Sequence, residues 1–133
     1  MSDIGQERNW VLANYGLFLI APASSGMTAL IGVILAHLRL EGARGGPYES
    51  HYRNLILVFW VWLAFVLLAL AFAFAGLAGF VWSLMQSWPA RGFGLYRSAL
   101  SLGLLLLAFV IVSFWYYWRL LRGLIRALDD KPY

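Results

Sequence analysis

The sequence predicts an all-α, polytopic helical membrane protein, and three observations predict it. The chain of 133 residues is 62% hydrophobic and only 12% charged, whereas a soluble domain carries about 25% charged residues. Its mean hydropathy is +0.75. With histidine counted as neutral, three uncharged stretches, 9–38, 54–90 and 98–118, are separated by charged, glycine-rich connections. This composition excludes disorder, which needs low hydrophobicity and high charge. One small transmembrane domain over residues 1–133 is the expected organisation.

The first stretch is too long for one straight crossing. Its 30 residues would span about 45 Å as a helix, against about 30 Å of hydrocarbon. Pro22-Ala23-Ser24-Ser25-Gly26 sits in its middle. Proline removes a backbone donor and kinks a helix, and Ser and Gly ease the freed carbonyls. The expectation is a single helix, about 10–39, broken at Pro22–Gly26. The alternative is a hairpin of two half-helices, which gives a four-helix variant. Each half, about 12 residues, would reach only about 18 Å, and this argues for the broken helix. The Trp10–Ala21 run also resembles a signal peptide core, but Asp3, Glu7 and Arg8 before it sum to a negative charge. Signal peptides begin with a positive segment, so the run is read as retained.

The second helix is expected over 47–76, crossing from Leu55 to Gly76. Pro47 suits a first helical position, and Glu49 favours the positive N-terminal end of the dipole. An extension to 88 continues the helix or lies at the interface, where Trp82 and Trp88 fit. Ala69, Ala71, Ala73, Ala75 and Gly79 recur at four-residue spacing and mark a packing face. Pro89, Gly92 and Gly94 end this region.

The third helix is expected over 94–128. Trp115-Tyr116-Tyr117-Trp118 forms an aromatic belt, and Arg119, Arg122 and Arg126 follow as a cationic stripe opposed by Leu120, Leu121, Leu124, Ile125 and Leu128. That pattern is an amphipathic extension at a membrane surface.

Three crossings place the 39–53 connection and the C-terminal tail on one side. Those segments hold seven Arg and Lys residues against three elsewhere. The excess puts the 39–53 loop and the C-terminus in the cytoplasm, with the N-terminus on the far side of the membrane. A hairpin would move Arg8 across and give eight against two. The net charge of +4 is explained by this bias and by contact with anionic lipid headgroups. No basic-aromatic motif supports a nucleic-acid partner.

The candidate docking or headgroup-binding face comprises Arg39, Arg44, Glu49, His51, Arg53, Arg119, Arg122, Asp130 and Lys131. Ser24, Ser25 and Thr28 form a candidate polar lining at the helix break. No metal site is expected. His37 and His51 are the nearest approach to one, but the chain has no cysteine and only Glu41 and Glu49 lie close in sequence, whereas metal sites want three or four ligands with second-shell support. No cofactor is expected. No acid–base pair stands out for catalysis, and the cores of the three spans carry no ionisable residue of the kind that marks ion-coupled transport.

The segment TALIGVILAHLRLEGARGGPYESHYR, residues 28–53, and the closing WYYWRLLRGLIRALDDKPY, residues 115–133, resemble a family of small, uncharacterised bacterial inner-membrane proteins. That family is distantly similar to the four-helix membrane subunit of the chloroplast inner-envelope protein translocon. The resemblance implies that Glu49, Ser50, His51, Arg53, Arg119, Gly123, Asp130, Lys131 and Pro132 are the family's polar and small positions. The 76–97 segment is longer than the family's short turn. The resemblance brings no reaction with it and implies work in a membrane complex, by fold-level analogy.

The expected function is non-enzymatic: an accessory or structural subunit that packs against a larger membrane complex, or a homo-oligomer. The alternatives are a homo-oligomeric channel or translocon-like conduit, lined at Ser24, Ser25 and Thr28, and a haem- or metal-binding membrane protein using His37 and His51.

Overall fold

A computed structural model describes residues 3–133, and all of its regular secondary structure is helical. Helix α1 spans Asp3–Leu19, a 3₁₀ turn spans Ala21–Ser24, α2 spans Met27–Leu40, α3 spans Glu49–Leu84 and α4 spans Ala90–Leu128. Two compact units result. One comprises the chain up to Val61 together with Trp115–Tyr133, and the other comprises Trp62–Phe114.

In the first unit, the opening apolar stretch is a helical hairpin. This corrects the single broken helix expected over 10–39. Pro22 is the second residue of the 3₁₀ turn, and Ser25 and Gly26 reverse the chain with φ of 55° and 87°. Glycine adopts that left-handed region without a Cβ penalty, whereas serine is strained there. The Gly26 amide donates to the Ala21 carbonyl at 2.8 Å. Ser24 Oγ accepts from the Thr28 amide at 3.2 Å, which gives a partner to one of the free amides in the first turn of α2. The returning helix then packs tightly. A Cβ at Gly32 would lie 2.7 Å from both Asn14 Oδ1 and Phe18 Cε2. Along one continuous helix, residues 14 and 32 would be about 27 Å apart. The two arms pack on each other, so neither has to be long enough to cross a bilayer.

The core of this unit brings the hairpin against the first turns of α3 and the last turns of α4. Val11, Tyr15 and Phe18 of α1, Ala36 of α2, Tyr52, Leu55 and Val58 of α3, and Leu120 and Ala127 of α4 are all buried. Tyr116 Oη donates to the Phe18 carbonyl at 2.7 Å. Gly123 sits against the Tyr15 phenol so closely that no side chain fits there.

The second unit pairs the later part of α3 with the earlier part of α4. Gly94 lies against Ser83, and a Cβ at Gly76 would reach Ser101 Oγ at 3.8 Å. Ala69 and Ala73, two of the small residues at four-residue spacing, line an apolar groove of about 760 Å³ with Phe72, Leu102 and Leu105. Much of the rest of its surface is also apolar: Phe74 is 71% exposed and Val110 62%. The helix expected from 94 starts at Ala90, directly after Pro89, and α3 runs on to Leu84 as the extension of the second helix. Both α3 and α4 are long and apolar enough to cross a membrane.

Candidate functional site

The polar residues of the first unit converge on the ends of four helices: the start of α1, the end of α2, the start of α3 and the end of α4. The last helical turn of α4 closes with Asp130 at φ 54°. The Lys131 amide donates to the Arg126 carbonyl at 2.9 Å, and the Asp130 amide to the Ala127 carbonyl at 3.3 Å. This pair of bonds is a Schellman closure with aspartate where glycine is usual. The turn sends residues 131–133 back over the start of α3. There the Tyr133 amide donates to Ser50 Oγ at 2.8 Å.

His51 anchors the tail from beneath and is fully buried. Its Nε2 lies 2.8 Å from the Lys131 carbonyl oxygen. A carbonyl only accepts, so Nε2 carries the proton. In the neutral ring Nδ1 is then an acceptor, and the Tyr15 hydroxyl donates to it at 3.2 Å. Asn54 Nδ2 donates to the Tyr15 oxygen at 3.3 Å, and Arg119 Nε donates to Asn54 Oδ1 at 2.9 Å. Five groups from α1, α3, α4 and the tail thus form one chain of bonds with a single direction. Neutral His51 is required to complete it. Burial pulls the His51 pKa below the ordinary 6.5; the bond to the Lys131 carbonyl opposes this and the Arg126 charge adds to it. His51 lies before the apolar run that starts at Leu55.

A second set of contacts ties the N-terminal turns to the same end. Arg39 Nη1 donates to Glu7 Oε1 at 3.0 Å, and Tyr52 Oη to Glu7 Oε2 at 3.0 Å. Arg8 pairs with Asp130 at 3.5 Å, and Tyr48 Oη donates to Asp130 Oδ1 at 2.6 Å. Burial, and then the bond to Asp130, push the Tyr48 phenol up to about 12. Glu49 accepts from the Gly45 amide at 2.9 Å and pairs with Arg53 at 2.7 Å. The Gly45 amide and then the Arg53 charge hold its carboxyl below the usual range. Residues 7 and 8 therefore sit with the 39–53 connection and the tail. This corrects the placement of the N-terminus apart from them.

The nine residues of the predicted face divide in two. His51 is buried, while Arg39 and Arg119 are half-buried and hold internal partners, so these three tie the unit together. Arg44, Arg53, Arg122, Asp130 and Lys131 are exposed, and Glu49 is half-buried beside Arg53. The helix-break residues act locally. Ser24 Oγ donates to the Ala21 carbonyl at 3.1 Å and lies 2.9 Å from Thr28 Oγ1, while Ser25 forms the turn. His37 donates from Nδ1 to the Val33 carbonyl of its own helix at 2.8 Å. Both ring nitrogens of His51 are engaged by protein groups. Among the described residues, no three of His, Asp and Glu gather in a metal-holding group.

Sequence reasoning missed Tyr15, Asn54, Tyr133 and Arg126 as members of this cluster. Asn54 offered a signal, as the amide that opens an otherwise apolar run. Tyr15 offered none, because its partners lie 36 and 39 residues away. Comparison with protein-family models, curated proteins and solved structures finds no match to this chain.

Proposed function

We propose that this chain is a non-enzymatic integral membrane protein of the bacterial inner membrane, acting as an accessory subunit that packs against a larger membrane complex. The observation that carries the reading is the contrast between the two units. Large apolar side chains of α3 and α4 lie exposed along most of 62–114. Burying them in hydrocarbon removes a surface that water would not tolerate. Most of the charged residues belong to the other unit.

In this reading α3 and α4 cross the bilayer. The α1–α2 hairpin enters from the cytoplasmic side and returns, since α2, with 14 residues, is about 21 Å long, short of the roughly 30 Å core. The N-terminus, the 39–53 connection and the tail are then all cytoplasmic, and Arg and Lys divide eight against two in favour of that side. The docking face is narrowed to the exposed cations Arg44, Arg53 and Arg122 with Lys131.

Because the chain has no cysteine, single-cysteine variants test the topology cleanly. Gln6→Cys and Glu41→Cys should be shielded in intact cells from an impermeant maleimide, and Ser87→Cys should be labelled. Labelling of Gln6→Cys from outside would contradict the hairpin topology. If Arg44→Ala with Arg53→Ala leaves assembly with other membrane proteins unchanged, the docking face is wrong.

A further inference from the structure

We propose that the last turns of α4 hold a dedicated site for the phosphate of an anionic phospholipid headgroup. The site is a shallow open groove of about 340 Å³ lined by Trp115, Trp118, Arg119, Arg122, Arg126 and Tyr133. Three features of the groove point to that ligand.

The first is charge. The five carboxylates with described side chains, Glu7, Glu41, Glu49, Asp129 and Asp130, pair with Arg39, Arg44, Arg53, Lys131 and Arg8. None of them pairs with Arg119, Arg122 or Arg126. Three guanidinium groups therefore share one groove, and none of them is paired with a described side-chain carboxylate.

The second is pre-organisation. Arg119 Nε donates to Asn54 Oδ1 at 2.9 Å and to Tyr133 Oη at 3.0 Å. Its guanidinium carbon lies 5.5 Å from the Trp115 ring centroid and 5.2 Å from that of Tyr133. The head group is thus fixed in position and orientation, and its two Nη groups remain for a ligand. A planar fork of donors matches two oxygens of one phosphate. Arg126 is steadied by its Nη1 bond to the Pro132 carbonyl at 3.2 Å, and exposed Arg122 completes the cationic wall.

The third is position. The groove begins where the apolar part of α4 ends, and Trp115 and Trp118 form its edge. Tryptophan collects at the headgroup level, and each cation near an anionic surface adds to lipid binding. Placement beside an apolar run selects a lipid-borne phosphate over a free one. This assignment rests on the membrane reading.

The test is native mass spectrometry of delipidated protein in detergent, titrated with phosphatidylglycerol. One lipid should bind first and tightest, and Arg122→Gln with Arg126→Gln should weaken it roughly thirtyfold. Arg122→Gln alone, at an exposed residue outside the core, guards against misfolding and should weaken it roughly fivefold or more. Arg91→Gln with Arg97→Gln should leave it unchanged. Equal binding by wild type and the Arg122 variants would overturn the site. Equal affinity for phosphatidylcholine would overturn the anionic requirement, and displacement by inorganic phosphate alone would overturn the lipid source. Release of the chain from membranes by alkaline carbonate would instead overturn the membrane reading itself.

Discussion

Gly123 of α4 and Tyr15 of α1 pack so closely that a methyl group on Gly123 would overlap the Tyr15 hydroxyl and ring. The contact places the Tyr15 oxygen between Asn54 and His51. Packing and polar network therefore depend on one missing side chain. Gly123→Ala should destabilise the fold by about 1–3 kcal/mol, the usual cost of overpacking a core. Gly103, with open space around its Cα, is the control. Gly103→Ala should be neutral or stabilising by up to about 1 kcal/mol. Thermal unfolding in detergent reads both.

The α1–α2 hairpin makes a parallel claim. Gly32→Ala should push against Asn14 and Phe18 and lower stability by about 1–3 kcal/mol. Gly16→Ala, on the facing helix but with nothing near it, should not. Equal effects at both positions would remove the hairpin packing.

The bond network predicts a pH dependence with a definite sign. Folding holds His51 neutral, with its pKa below the ordinary 6.5. The stability this contributes is complete above that ordinary value and falls as pH drops toward and through the folded value, because the unfolded chain binds the proton first. The unfolding temperature should therefore fall as the pH drops from about 6.5 toward 5, where histidine titrates. His51→Asn should be less stable at neutral pH and flatter across that range.

The α4 closure separates two roles of Asp130. Asp130→Gly keeps the left-handed turn and loses the bonds to Tyr48 and Arg8. Asp130→Ala loses both, and its left-handed backbone costs about 1–2 kcal/mol more. The alanine variant should unfold at the lower temperature, with faster amide exchange over residues 129–133. Identical behaviour of the two would mean that the turn geometry contributes nothing.

The helices were largely legible from the sequence. Apolar length, Pro47 with Glu49, and Pro89 marked α3 and α4 within a few residues, because local rules govern those ends. The reversal at Ser25 and Gly26 was not legible as a fold-back. The same five residues suit a kink or a turn, and only the meeting of Gly32 with Asn14 and Phe18, 18 and 14 residues away, decides between them. The charged cluster was recognisable as a group, since its members flank the apolar runs. The burial of His51 was not recognisable. Its partners come from α1 and from the tail 80 residues later, and nothing near position 51 announces them.

The accessory-subunit reading is tested most directly by native mass spectrometry of the protein extracted gently from its own membranes. The account predicts a stoichiometric complex with a different polypeptide, weakened by Arg44→Ala with Arg53→Ala. Assemblies whose masses are only multiples of 15.0 kDa would contradict it and put a homo-oligomeric conduit in its place.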